Sequence, residues 1–255
     1  MPVMFDTLGV ETLVLMALIA LVAGLVKGMV GFAMPMIMIS GLSALVAPDL
    51  ALAVLILPTL VSNGVQALRQ GAGAAWGSLR RFGVFLGVGL VMLLASAQLV
   101  RALPVNVMFL LIGGPVVVFT AMQLLGWKPH IARPTRLIEG AVGGFAGFIG
   151  GLSGVWGPPT IAYLTAIDTE KRDQMRIQGV IYGLGAVALT VAHLQSGVLR
   201  MQTAPLSALM IIPAGVGMWI GLRLHDRIDQ KAFRKATLLV LFIAGLNLIR
   251  RGLLG

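Results

Sequence analysis

Ten stretches of the chain are apolar over roughly the length of a helix: 12–28, 30–47, 50–68, 82–100, 104–124, 137–151, 156–167, 177–195, 204–223 and 236–250. Crossing a bilayer takes about 20 residues of helix. Several runs reach that length, whereas 137–151 and 156–167, and to a lesser degree 12–28 and 30–47, fall short of it. Short runs interrupted by Gly and Pro, placed correspondingly in two halves of a chain, predict discontinuous helices. The longest polar stretches are 125–136, 168–176 and 223–235, and no long linker or soluble domain separates the runs. The expected fold is an all-α polytopic membrane protein, one integral membrane domain over 1–255 with eight to ten transmembrane segments.

Composition agrees with this pattern. Hydrophobic residues make up 58% of the 255 and charged residues 11%, with a mean hydropathy of +0.97. A soluble domain carries about 25% charged residues, and one soluble core of this size could not hide so much apolar surface. The net charge of +10 comes from short basic clusters between apolar runs, not from one stripe, which excludes nucleic-acid binding as the main role. The lack of Cys removes disulfides, thiolate metal sites and Cys nucleophiles. The first ten residues hold no Lys or Arg, and Asp6 is acidic. The basic region of a secretory signal is therefore missing, and the first apolar run is expected to be a retained helix.

The run Gly24-Leu-Val-Lys-Gly28-Met-Val-Gly31-Phe-Ala-Met-Pro35 has the spacing G-x3-G-x2-G-x3-P. Gly147-Phe-Ile-Gly-Gly151-Leu-Ser-Gly154-Val-Trp-Gly-Pro158 repeats that spacing 123 residues later. Leu68-Arg-Gln-Gly71 is matched by Leu194-Gln-Ser-Gly197 at an offset of 126, which fits an insertion of three residues near Asp168. Two repeats, about 8–125 and 135–254, of five apolar segments each are expected. The loops 69–81, 125–136, 168–176 and 223–235 hold 14 of the 19 Lys and Arg. Placed in the cytoplasm, they leave Arg101, Arg200, Arg250 and Arg251 on the other face. Both termini then lie outside a bacterial-type inner membrane, and the repeats have opposite orientations. Inverted repeats belong to secondary transporters, whose sites lie near the midplane.

The Gly24–Pro35 run, the Gly143–Pro159 run and the duplicated plan resemble the TauE/SafE family of sulfite exporter permeases, over nearly the whole chain. The resemblance implies export of small anions, chiefly sulfite, other sulfur oxyanions and organosulfonates such as sulfoacetate. Two departures fall inside the motif. Lys27 stands where a small or apolar residue is common, and Trp156-Gly-Pro-Pro replaces the usual Gly-rich stretch before the Pro.

Each glycine can serve close helix packing. As clusters, Gly28, Gly31, Gly151, Gly154 and Gly157 can instead let the backbone unwind, with Pro35 and Pro158 restarting helices. N–H groups freed at a helix N-terminus bind anions. None of the nine carboxylates sits in mid-segment, which suits a site for negative charge. Lys27, the basic residue inside an apolar run, has three readings: a side chain snorkelling to the surface, a countercharge for an anion, or a Lys whose proton moves with transport.

Thr59, Ser62, Asn63 and Gln66 recur every three to four residues and share a helix face. They serve either interhelical hydrogen bonds or a pathway that donates to oxyanions, and Ser153, Thr160 and Thr165 do the same from repeat two. The expected substrate-binding set is Lys27, Gly28, Gly31, Phe32, Asn63, Gln66, Gly151, Ser153, Gly154, Trp156 and Gly157. Trp156 is an interface anchor or a gate. His193 is an interfacial hydrogen-bonding residue or a candidate proton relay. Met34, Met36 and Met38 do not line one path, because residues two apart on a helix point about 200° apart.

No cofactor, metal or enzymatic activity is expected. The expected partners are a small anionic substrate and the lipid bilayer, and a homodimer is compatible with the sequence. An anion channel, or a permease for another small organic anion, is the alternative to a carrier.

Overall fold

The computed structural model describes residues 8–97, 104–126, 130–153, 157–195 and 197–254. These residues form eleven helices and, among them, no strand: α1 (Val10–Val30), α2 (Met34–Leu42), α3 (Pro48–Leu68), α4 (Ala72–Arg81), α5 (Gly83–Ala97), α6 (Val105–Leu124), α7 (Arg136–Ser153), α8 (Gly157–Ala166), α9 (Lys171–Gln195), α10 (Ala204–Arg227) and α11 (Gln230–Leu254). Among the described residues five helices, α1, α3, α9, α10 and α11, are long and apolar enough to cross a membrane. The count is six if α4 and α5, bent by 69° at their junction, make one broken span. The protein is an all-α polytopic membrane protein.

Ten of the eleven helices match the ten apolar runs, although several bounds differ. Helix α1 is a full span of 21 residues rather than a short one, because it continues through Gly24, Lys27 and Gly28 up to Val30. The stretch 69–81, expected to be a basic loop, contains α4. Three alanines favour a helix there, and Arg80 stacks over the Trp76 ring at 5.1 Å.

The chain divides into two compact units. The first is Met1–Ala75 with Met175–Asp229, and the second is Trp76–Gln174 with Gln230–Gly255. In the first unit α1 lies along α10. A Cβ on Gly24 or Gly28 would collide with the carbonyl oxygen of Ala214 or Met218, and one on Gly217 or Gly221 with that of Leu21 or Leu25. Glycine on both faces lets the two backbones touch, which drives helix association in lipid, where burial of apolar surface supplies no force. Val14, Leu18 and Val22, on the other face of α1, are exposed, as a lipid-facing stripe should be.

Pro58 lies inside α3 and cannot donate to the carbonyl of Val54. Ser207 of α10 fills that gap. Its hydroxyl donates to the Val54 oxygen at 3.0 Å and accepts from the Leu57 N–H at 3.2 Å.

In the second unit α5 lies along α7 by the same device. A Cβ on Gly143 or Gly147 would strike the carbonyl oxygen of Phe85 or Gly89. Helix α6 packs on α11, where a Cβ on Gly113 would come within 2.9 Å of the Gly245 oxygen. Glu139 is buried in the first turn of α7, although it sits at a segment edge in the sequence. Arg81 Nη1 donates to its Oε2 at 2.8 Å, which compensates its charge.

Candidate functional site

The break between α1 and α2 lies within the first unit. Helix α1 stops at Gly31, whose φ of +91° is left-handed, a conformation glycine adopts without strain. The Gly31 N–H donates to the Lys27 carbonyl at 2.7 Å and closes the helix. Ala33 also has a positive φ, +74°, which costs an L-residue about 1–2 kcal/mol. Helix α2 then starts at Met34 with Pro35 in its first turn.

Phe32 and Ala33 are buried, and among the described residues no hydrogen-bond acceptor meets their N–H groups. The first N–H groups of α2 likewise have no partner within the helix. The free donors of this break therefore belong to Phe32, Ala33 and the start of α2. Gly31 and Gly28, expected to supply them, do not: the first spends its N–H on Lys27, and the second lies inside α1 as a packing residue against α10.

Lys27 sits one turn before the break and is 1% exposed, so its side chain does not snorkel to a surface. Its Nζ donates to Asn63 Oδ1 at 2.5 Å, and Asn63 Nδ2 donates to the Tyr182 carbonyl at 3.3 Å. Among the described residues no carboxylate pairs with Lys27. A buried charge is normally paired, and among the described residues the Lys27 amine meets a neutral acceptor and no carboxylate.

Gln66, one turn after Asn63 on α3, donates from Nε2 to the Gly31 carbonyl at 3.2 Å and to Met175 Sδ at 2.8 Å. Thr59, Ser62, Asn63 and Gln66 are all buried, as their shared helix face requires. Ser62 Oγ donates to the Thr59 carbonyl at 3.0 Å and to Met34 Sδ at 3.3 Å. Met34 and Met38 are buried in the α1–α2–α3 core while Met36 is half-buried, as helical spacing predicts.

Gln178 joins this cluster and was not among the expected residues. It is fully buried on α9, and a side chain at Gly31 would collide with its Oε1. Neither Oε1 nor Nε2 of Gln178 has a hydrogen-bond partner, and neither does Gln66 Oε1. The apolar run starts at 177, so Gln178 lies at its edge in the linear sequence. The helix begins at Lys171, so Gln178 lies about two turns inside it. The available signal was the spacing of Gln174, Gln178 and Tyr182, four residues apart.

The other expected break is only partly described. Gly151 and Ser153 end α7, Gly157 and Pro158 begin α8, and Gly154 and Trp156 lie outside the described residues. Thr160 and Thr165 on α8 are buried in the second unit. His193 is half-buried in the last turn of α9, about 22 Å along the helix from Gln178, and does not join the cluster.

The site is thus a buried lysine amine, unpaired amide groups and free backbone N–H groups around one helix break. It can hold and orient an anion. Among the described residues it contains no nucleophile–base pair. The family model described as Sulfite exporter TauE/SafE matches residues 16–248, nearly the whole chain. No curated protein and no solved structure matches the chain.

Proposed function

This chain belongs to the sulfite exporter TauE/SafE family, and from that premise, which makes it a membrane transporter of sulfur anions, we propose that it is a secondary exporter of sulfite, related sulfur oxyanions or organosulfonates. One observation carries the anion reading: Lys27 is buried beside a helix break with a neutral acceptor and no countercharge among the described residues. An anion at the break completes that pairing. The N–H groups of Phe32, Ala33, Met34 and Met36 supply donors, and Asn63 holds the Lys27 side chain in place. A pyramidal or tetrahedral head with three oxygens suits several donors better than one point charge.

The transport cycle rests on the repeat. Under the offsets of 123 to 126, α1 corresponds to α7 and α10 to α5. The contact of Gly24 with Ala214 then corresponds to that of Gly147 with Gly89, which supports two equivalent halves. The distribution of basic clusters supports both termini lying outside an inner membrane. Because the chain has no Cys, single cysteines report this directly. Positions 75 and 230 should resist a membrane-impermeant maleimide in intact cells, and labelling there would reverse the topology.

Flux into proteoliposomes tests the function itself. Labelled sulfite or sulfoacetate should enter saturably and show counterflow. Flux that never saturates would indicate an anion channel. Flux of a cation or a neutral sugar in place of anions would remove the assignment.

A further inference from the structure

The break in the first unit holds more unpaired acceptors than an anion alone can use. Gln66 Oε1 and Gln178 Oε1 are buried and meet no donor. Among the described residues no donor reaches either oxygen: Lys27 Nζ gives one of its N–H bonds to Asn63, Ser62 Oγ lies on the Thr59 carbonyl and Met34, Gln66 Nε2 lies on Gly31 and Met175, and Gln178 Nε2 and Thr59 Oγ1 are unpaired. Reversing an amide does not remove the problem. Turning Gln66 over would set its oxygen against the Gly31 carbonyl, and turning Gln178 over still leaves one oxygen and one N–H group unpaired. Buried polar groups in a folded protein are paired, and an unpaired one calls for an occupant.

An acceptor-only ligand such as a simple alkanesulfonate satisfies Lys27, the backbone N–H groups and Gln178 Nε2. It leaves both amide oxygens unpaired. A ligand with an O–H beside its anionic head satisfies both kinds of group. Sites built to hydrogen-bond a hydroxyl reject the analogue that lacks it, because their own buried groups are then left without partners.

We propose that the buried amides of Gln66 and Gln178 select an anion that also donates a hydrogen bond, a hydroxyl-bearing sulfonate or oxyanion, over an anion of the same charge and size without that donor. Gln178 is accordingly a specificity-determining residue of the transport site, set against Gly31 because glycine leaves room for its amide. The inference rests on the anion-transporter reading above.

Calorimetric titration of the purified full chain with 2-hydroxyethanesulfonate and propane-1-sulfonate tests it, since the two differ by a hydroxyl in place of a methyl. Wild type should bind the hydroxyl compound about tenfold or more tightly. Gln178→Met and Gln66→Met, close in volume to the native residues, should each bring the ratio toward one. Thermal melting checks that each variant is folded, and the wild-type ratio decides even where a variant is not. Equal wild-type affinities, or a preference that survives both substitutions, overturns the inference while leaving the transporter reading in place. Binding of neither sulfonate nor sulfite overturns both.

Discussion

In the first unit, Gly24 and Gly28 of α1 abut the carbonyls of Ala214 and Met218 on α10; in the second, Gly143 and Gly147 of α7 abut those of Phe85 and Gly89 on α5. The backbone demand is the same, and glycine meets it in both. The polar furnishing is not the same. By the offset of 123, Lys27 corresponds to Gly150, and by the offset of 126, Asn63 corresponds to Leu189. Gln178 corresponds by either offset to a leucine, Leu52 or Leu55. Glu139, buried in the second unit, has its Arg81 partner, whereas Lys27, buried in the first, meets no carboxylate among the described residues. Among the described residues the glycine packing is thus present in both units, and a buried amine without a carboxylate partner in the first. A matched pair of helix contacts reports the packing, and the residues that break the match form the candidate site.

The largest effects should come from the contacts common to both units. Gly217→Leu in the first and Gly147→Leu in the second each push a side chain into a backbone carbonyl that cannot move aside. Overpacking typically costs about 1–3 kcal/mol and at times more. Both variants should lose most of their monodisperse protein in size-exclusion chromatography. Wild-type yield from either one would mean that its helix pair does not pack as described.

Next is the residue that has no counterpart. Lys27→Gln should leave the melting temperature near that of wild type but remove the buried cation. A lost charge-assisted hydrogen bond costs about 1.5–3 kcal/mol, a tenfold to hundredfold fall in sulfite affinity by titration. Unchanged affinity for every anion tested would make Lys27 a structural residue and erase the difference between the units.

The smallest effect concerns the Pro58 gap. Ser207→Ala removes both hydrogen bonds around the carbonyl of Val54 and should cost about 1–3 kcal/mol in denaturant unfolding. In a Pro58→Ala background the helix repairs itself, so the same substitution should cost clearly less. Equal costs in the two backgrounds would show that the serine serves some other contact.

Much of this was legible in the sequence because the bilayer imposes long apolar runs with distinct edges. The polar face Thr59–Gln66 was legible because its spacing is helical, and the α1–α2 break because Gly31 and Pro35 bracket it. The role of each motif glycine was not. Gly28 and Gly31 are three residues apart, yet one packs a helix and the other ends it, and only the path of α10 past Gly28 decides between them. Gln178 and Glu139 escaped for a related reason. Both lie near the ends of apolar runs, where a linear reading expects solvent, and the neighbouring helices bury them. Helix α4 hides in a stretch whose arginines mark a polar connection, while its three alanines favour a helix.

The central claim is that the anion binds in the first unit at the Gly31–Ala33 break. Selenite has the shape and charge of sulfite and scatters anomalously at the selenium edge. A crystal of the protein grown or soaked with selenite should give an anomalous selenium peak within hydrogen-bonding reach of Lys27 Nζ and the N–H groups of Phe32 and Ala33. A strong peak at residues 154–157, or no peak in crystals of protein that binds selenite in solution, would contradict it.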